Sequence, residues 1–238
     1  MAFDQGNRAT ARSAIPQVGI DQGLRSYMLR VYNYMTVALA ITGGVAYFFY
    51  SSGLIEQIYG TPLYWVAVLA PLAFVLVLSF GIQKLSLGAT QAIFWGYAAV
   101  MGVSMSSIFL VYTGGSIAEV FFITSATFLA MSLWGYTTKR DLAGFGHFLM
   151  MGLIGIIIAM VVNIFLKSPA LYFAISVIGV LVFTGLTAWD TQRIKEMYWD
   201  GDSAVVAGKK SIMGALALYL DFINLFLMLM QLMGQRRN

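Results

Sequence analysis

The chain contains no cysteine and only one histidine, His147. Without cysteine, disulfides, thiol nucleophiles and thiolate metal sites are excluded. A single histidine also excludes a metal site built from several histidines. Charged residues make up only 10% of the chain, whereas soluble domains contain about 25%. The net charge of +4 does not indicate nucleic-acid binding, because the positions of the basic residues relative to a membrane explain it.

Long apolar runs dominate the 238 residues, which are 60% hydrophobic. The mean hydropathy is +0.80. A membrane-spanning helix needs about 20 apolar residues. Seven stretches meet this requirement, at roughly 30–51, 62–82, 88–112, 116–136, 145–166, 170–193 and 211–233. We expect an all-α polytopic membrane protein, with a flexible cytoplasmic tail at 1–23 and a seven-helix transmembrane domain at 24–238. A six-span alternative, with Asp221 in a re-entrant segment, is compatible with hydropathy.

Lysine and arginine collect on the cytoplasmic side of bacterial membrane proteins, so their positions predict orientation. If the N-terminus is inside, eleven basic residues lie on the inner side: Arg8, Arg12, Arg25, Arg30, Lys84, Lys139, Arg140, Arg193, Lys195, Lys209 and Lys210. Three lie on the outer side: Lys167, Arg236 and Arg237. The bias predicts a multi-pass membrane protein with a cytoplasmic N-terminus and an external C-terminus.

Two aspartates, Asp190 and Asp221, lie in stretches that otherwise match lipid-buried helix. A carboxylate in hydrocarbon is costly, so each is a candidate functional residue. Two carboxylates held close together cannot both ionise easily and titrate as a unit, so the pair is a candidate pH sensor and gate. Asp221 lies about 15 Å into its span, deeper than Asp190, so we expect helix shifts that open a polar vestibule to Asp221. The alternative role is a hydrogen bond that only fixes helix packing.

Further polar residues flank the two acids. Thr187 and Arg193 lie on the sixth span with Asp190, and Asn224 shares a helical face with Asp221, so these are candidate lining residues. Lys84, at the inner end of the second span, is a candidate basic latch or simply an orientation signal. Glu119 is a candidate outer cation site or a favourable charge near a helix N-terminus.

Small residues allow membrane helices to pack closely. Gly81, Gly88, Gly152 and Gly155 are therefore predicted to lie at contacts between helices.

Several segments of the chain match a known family. The strongest are LALYLDFINLFLMLMQLMG at 216–234 and AWDTQRIK at 188–195, supported by TKRDL at 138–142 and VVNIF at 161–165. With these motifs the chain resembles a bacterial member of the Bax inhibitor-1 family, also called the transmembrane Bax inhibitor motif family, over about residues 24–234.

The resemblance implies a fold of two three-helix layers around a central C-terminal helix. It implies that bacterial members act as pH-sensitive calcium leaks gated by paired aspartates, here Asp190 and Asp221. A basic residue at the position of Lys84 is implied to hold the sixth-span acid in the closed state. Lysine lacks the planar fork of arginine, which would weaken such a latch. Other bacterial relatives are implied to modulate a membrane-embedded AAA protease.

These observations predict a calcium leak channel of the inner membrane, gated by pH through Asp190 and Asp221. Calcium prefers six to eight oxygen ligands, so the two carboxylates with neighbouring oxygens and water form only a transient calcium site. Calcium is then the permeant ion, no cofactor is expected, and the bilayer is the main partner. The alternative is a protein that regulates a membrane AAA protease through its polar tail. No enzyme is expected: the sequence YLD at 219–221 lacks the Gly-x-Gly-Asp setting of intramembrane aspartyl proteases.

Overall fold

The computed structural model describes residues 22–237, which contain nine helices. They are α1 Gln22–Ser51, α2 Leu54–Ile58, α3 Pro62–Gly81, α4 Leu87–Met105, α5 Ile108–Val111, α6 Gly114–Thr137, α7 Ala143–Leu166, α8 Pro169–Glu196 and α9 Ala204–Met233. The predicted tail at 1–23 lies outside the described residues, apart from Gln22 and Gly23 in the first turn of α1.

Seven of the described helical segments are long and apolar enough to cross a membrane, with α4 and α5 together forming one of them. The prediction of seven transmembrane helices is therefore confirmed. The six-span alternative is wrong, because α9 is one continuous helix over Ala204–Met233. The helices α1 and α9 begin at Gln22 and Ala204 rather than at 30 and 211, since both continue beyond their apolar stretches.

Side-chain caps fix where several spans begin. A serine or threonine oxygen accepts the free N–H three residues later at the start of α4, α6, α8 and α9, as such caps commonly do. The capping residues are Ser86, Thr113, Ser168 and Ser203. The helix α7 ends at Lys167, whose φ of 49° lies in the left-handed region. The short α7–α8 connection is thus fixed by local chemistry and forces the two helices to be antiparallel.

The long helices form two triplets around α9. In the first triplet α4 lies between α1 and α3, and in the second α8 lies between α6 and α7. The central α9 contacts α1, α4, α6 and α8, and it is the most buried of the spans, whereas α3 and α7 are mostly exposed. This arrangement confirms the expected pair of three-helix layers around a central C-terminal helix.

Since successive spans run in opposite directions, the start of α1 and the α8–α9 connection lie on one side, here called the N-terminal side. The chain end lies on the opposite, C-terminal side, where it is bonded to other elements. Thr113 N–H donates to the Gln235 carbonyl at 3.0 Å, and Arg237 N–H donates to the Val111 carbonyl at 2.8 Å. The Arg237 guanidinium also donates to the Tyr50 hydroxyl of α1 at 2.6 Å. The end of α9 is therefore fixed to the first triplet and to the start of α6.

Glycines allow close helix contacts, but mostly not where the sequence predicted them. A Cβ on Gly135 of α6 would clash with the backbone carbonyl of Ala188 in α8. Gly152 does contact α8, because a Cβ there would lie 3.2 Å from a side chain of that helix. Gly88 and Gly155 instead have open space beside them, and Gly81 meets only the nearby Leu85. The contact prediction is therefore wrong for these three glycines.

Candidate functional site

The antiparallel packing of α8 against α9 determines which residues of the two helices meet. Toward the C-terminal side, the Ser176 hydroxyl donates to the Gln231 amide oxygen at 2.7 Å. Toward the N-terminal side, Gly214 packs on Ile194, where an added Cβ would lie 3.0 Å from the isoleucine side chain. Because the two helices are antiparallel, a step of one residue toward the C-terminus of α8 corresponds to a step of one residue toward the N-terminus of α9.

This register brings the two acids together. It places Asp190 level with Leu218 on α9, so Asp221 is offset from Asp190 by about one helical turn, or about 5 Å. The carboxyl groups span this offset and lie within hydrogen-bonding reach of each other. The two carboxyl groups approach each other without a large displacement of either helix. The reason is that α8 extends to Glu196, so Asp190 lies about one and a half turns before the C-terminal end of the helix.

Both acids are buried inside the protein. Asp190 is 8% exposed and Asp221 is 4% exposed. The prediction of an open vestibule reaching Asp221 is therefore wrong for this conformation. Its premise was a larger depth mismatch between the acids, and the observed register reduces that mismatch to about one helical turn. The described conformation is one in which the pair is closed off from water.

Among the described residues, Asp190 forms an ion pair with a cation and Asp221 does not. Arg193 Nη2 lies 3.2 Å from Asp190 Oδ1, one turn along the same helix. The Arg193 side chain is 49% exposed, and its guanidinium lies 5.0 Å from the centre of the Trp189 ring. Among the described residues, Asp221 Oδ2 has no hydrogen-bond donor. Since a buried charge needs a partner, the site is neutral only with one additional proton or cation.

Lys84 is not part of this cluster. It is exposed in the turn after α3. The ion pair that the described residues give Asp190 comes from Arg193 instead. A lysine latch on Asp190 is absent from this conformation, because the arginine one turn along α8 already occupies that position.

The other candidate residues lie at different distances from the pair. The Thr187 hydroxyl donates to the Phe183 carbonyl, and the Asn224 amide donates to the Leu220 carbonyl, each at 2.8 Å within its own helix. Both side chains keep an oxygen that can accept a hydrogen bond or bind a cation. Glu119 is exposed in the second turn of α6. It lies about 20 Å along α6 from the level of the acids, so it is not part of the same site.

A chain of hydroxyl groups that begins at Thr191, the residue after Asp190, was not predicted from the sequence. Thr191 and Ser132 Oγ atoms are 3.0 Å apart, and Ser132 in turn bonds the Tyr32 hydroxyl at 2.5 Å. This chain joins α8, α6 and α1. Thr191 adjoins an acid in sequence, but nothing in the sequence pairs Ser132 or Tyr32 with it, because they lie on other spans.

A second buried polar cluster holds the opposite face of α9. The Tyr219 hydroxyl bonds the Thr42 hydroxyl of α1 at 2.7 Å, and Thr42 donates to the Ala98 carbonyl of α4 at 2.8 Å. The Tyr97 ring packs edge-on against Tyr219. At the level of the acids, α9 is therefore hydrogen-bonded to the first triplet by neutral groups, and it faces the second triplet with the carboxyl group of Asp221.

Within residues 22–237, no cluster of three or more histidine, aspartate or glutamate side chains is arranged to hold a metal ion. Two carboxylates with neutral oxygens provide fewer ligands than calcium prefers. Any cation at Asp190 and Asp221 would therefore be held weakly and partly by water.

Comparison with known proteins identifies the family. Residues 24–238 match the family described as Inhibitor of apoptosis-promoting Bax1. The chain belongs to the Bax inhibitor-1 family. Inner membrane protein YbhL of Escherichia coli is 51% identical over 219 residues, covering 90% of this chain and 94% of the relative. An uncharacterized protein of Rickettsia prowazekii is 51% identical over 222 residues, covering 92% and 93%. One from Caulobacter vibrioides is 45% identical over 249 residues, covering 97% and 98%.

The sequence resemblance to the Bax inhibitor-1 family is thus confirmed. The similarity covers the complete transmembrane bundle, and the Escherichia coli relative is an inner membrane protein. The names of these relatives give no enzymatic function, permeant ion or partner.

Proposed function

We propose that this Bax inhibitor-1 protein is a pH-sensitive calcium leak channel of the inner membrane, gated by Asp190 and Asp221. The observation that carries the proposal is a pair of neighbouring, buried carboxyl groups, of which Asp190 forms an ion pair with the half-exposed guanidinium of Arg193 and Asp221 forms none among the described residues. The cluster contains two carboxyl groups and one guanidinium, so one negative charge is left without a partner when both acids are ionised. Its stability therefore depends on proton and cation concentration.

The described conformation corresponds to the closed state. With one proton between them, the carboxyl groups form a strong charge-assisted hydrogen bond that holds α8 against α9. When that proton is lost, two negative charges in a medium of low dielectric constant repel each other. The repulsion is relieved when the helices separate, when water enters, or when a cation binds.

The same groups suit calcium as the permeant ion. Two carboxylates, the amide oxygen of Asn224 and the hydroxyl of Thr187 are hard oxygen ligands, which calcium prefers. Water must supply the remaining ligands, so the site binds weakly. Weak binding is what conduction requires, because the ion must also leave.

The proposed orientation places the N-terminal side in the cytoplasm. Most lysine and arginine residues lie on that side, in the pattern of the positive-inside rule. The acids then lie nearer the cytoplasmic end of α8. The gate would sense the cytoplasmic proton concentration.

Calcium flux into proteoliposomes across a series from about pH 5 to 8 tests this function. The unmodified protein should show flux that changes with pH. Asp190→Asn and Asp221→Asn should each remove that dependence, because an amide cannot exchange the proton. Asp200→Asn, in an exposed turn, is the matched control and should retain it. Flux that keeps its full pH dependence in both gate variants would disprove the proposal.

Regulation of an AAA protease remains the alternative from the sequence. It depends on the tail at 1–22, which lies almost entirely outside the described residues. No contact in the bundle favours it over ion permeation.

A further inference from the structure

A deep cleft separates α1 from α6 on the side of the bundle that faces the lipid. The two helices both pack on α9 but hardly on each other, although the Tyr32–Ser132 hydrogen bond crosses between them. The cleft has a volume of about 1190 Å³, and Phe222 of α9 lies at its back. Exposed leucines line its edges, so it opens sideways into the hydrocarbon region.

The interior of the cleft is apolar. Leucine, methionine and phenylalanine side chains make up most of its lining. The hydroxyls of Tyr32 and Ser132 bond each other, and Ser125 donates to the Phe121 carbonyl at 2.8 Å. Because these hydroxyls have partners within the protein, the cleft favours a hydrocarbon occupant over water.

The length of the cleft matches one lipid molecule. It runs along α6 from Tyr136 to Phe121, which is 15 residues or about 22 Å. A bilayer with its headgroup regions is about 40–45 Å thick, so one leaflet is about half of that. The cleft therefore spans the leaflet on the N-terminal side.

Positive charge lies only at the open N-terminal end of the cleft lining. Arg25 lines this end, is exposed, and makes no ion pair among the described residues. Lys195 reaches the same end, since it donates to the carbonyl of Tyr136, which also lines the cleft, at 2.9 Å. The acid Asp202 also lies on this side, but Lys210 pairs with it at 2.6 Å. Glu196 and Asp200 are exposed on the same side but do not line the cleft. An anionic headgroup at the cleft entrance would therefore meet the exposed guanidinium of Arg25.

We propose that this cleft is a binding site for an anionic phospholipid, with an acyl chain between α1 and α6 and the headgroup phosphate at Arg25. The acyl chain gains little from leaving the bilayer, which is equally apolar. Selectivity must therefore come from the headgroup, and the chain serves to fill a space that the two helices leave open. The site is independent of ion permeation and stands or falls separately from it.

The test uses the full chain in nanodiscs of equal amounts of phosphatidylglycerol and phosphatidylethanolamine, followed by native mass spectrometry of the released protein. The unmodified protein should retain one phosphatidylglycerol in preference to phosphatidylethanolamine. Arg25→Gln should reduce that preference about fivefold, the effect of one basic residue near an anionic surface. Arg30→Gln is the control, since Arg30 is exposed on α1 but does not line the cleft. It should leave the preference unchanged.

A second pair of variants tests the acyl site. Gly43 lines the far end of the cleft, and a side chain added there meets open space, so Gly43→Phe should fill it without clashing. Retention of either lipid should then fall. Gly44 also has open space but does not line the cleft, so Gly44→Phe should retain lipid normally. The proposal is overturned by an absence of headgroup preference, by equal effects of the Arg25 and Arg30 variants, by undiminished retention in Gly43→Phe, or by a second protein chain bound in place of the lipid.

Discussion

Replacing Arg193 with glutamine removes the cation that forms an ion pair with Asp190. At 4 Å and an effective dielectric constant of about 20, two unit charges attract by about 4 kcal/mol. The arginine is 49% exposed, so water reduces this toward the range of about 0–1 kcal/mol measured for surface pairs. Burial of Asp190 strengthens the attraction again, so we take an intermediate value of about 1.4 kcal/mol for the ion pair.

That free energy corresponds to about a tenfold change in the ratio of closed to open protein. The Arg193–Asp190 pair lies within α8 and survives separation of α8 from α9, so only the part of this free energy that depends on burial of Asp190 is lost on opening. Arg193→Gln should therefore raise calcium flux by at most about tenfold, measured in proteoliposomes at a fixed pH near neutrality. The increase should shrink as the pH falls, because a protonated Asp190 has no charge for the arginine to stabilise. In an Asp190→Asn background the same change should have no further effect, as a double-mutant cycle would show.

Lys84→Gln is the informative comparison. Lys84 is exposed and unpaired with Asp190, so its loss should leave the flux unchanged. The reasoning is refuted if Lys84→Gln raises the flux while Arg193→Gln does not. The closed state would then use the lysine latch suggested by the family resemblance.

Two further predictions concern the stability of the bundle, measured by thermal unfolding in detergent. Gly135→Ala should lower the free energy of unfolding by about 2–3 kcal/mol, because the new methyl group meets the α8 backbone. Gly155→Ala, beside open space, should be neutral or stabilising by up to about 1 kcal/mol; similar effects of the two changes would contradict the packing described. Tyr219→Phe should cost about 1 kcal/mol through loss of its bond to Thr42. The exposed Tyr59→Phe should cost nothing measurable, and an equal loss there would show that the buried hydrogen bond contributes little.

The fold was largely predictable because hydrophobic length is a strong local signal. A stretch such as 145–166 has few structural alternatives in a membrane, and α7 occupies Ala143–Leu166. Helix ends were less predictable. The start of α9 at Ala204 is set by the Ser203 cap in a polar sequence, where hydropathy gives no information.

The candidate site was predictable in its residues but not in its geometry. Burial of acids such as Asp190 follows from their position in apolar stretches. Their contact depends on the register of α8 against α9, which sequence spacing alone placed one turn too far apart. Asp190 pairs with Arg193, which lies one turn away on the same helix, and not with Lys84 on another span. The sequence does not show which of these two basic residues is the partner.

Contacts between spans were the least predictable feature. Whether a glycine lies at a contact depends on which face of the helix meets a neighbour, and Gly135 and Gly155 have similar sequence surroundings but different environments. The Tyr32–Ser132–Thr191 chain likewise joins residues from three helices. No regularity within one helix encodes such a link.

The anchored chain end has a mechanical consequence for α9. This helix is tied through Arg237 to Tyr50 and Val111, and halfway along its length through Tyr219 to Thr42. Sliding or rotating α9 would break all of these bonds together. In the proposed gate, α9 would therefore hold Asp221 in place, and separation of the two carboxyl groups would come from displacement of α8.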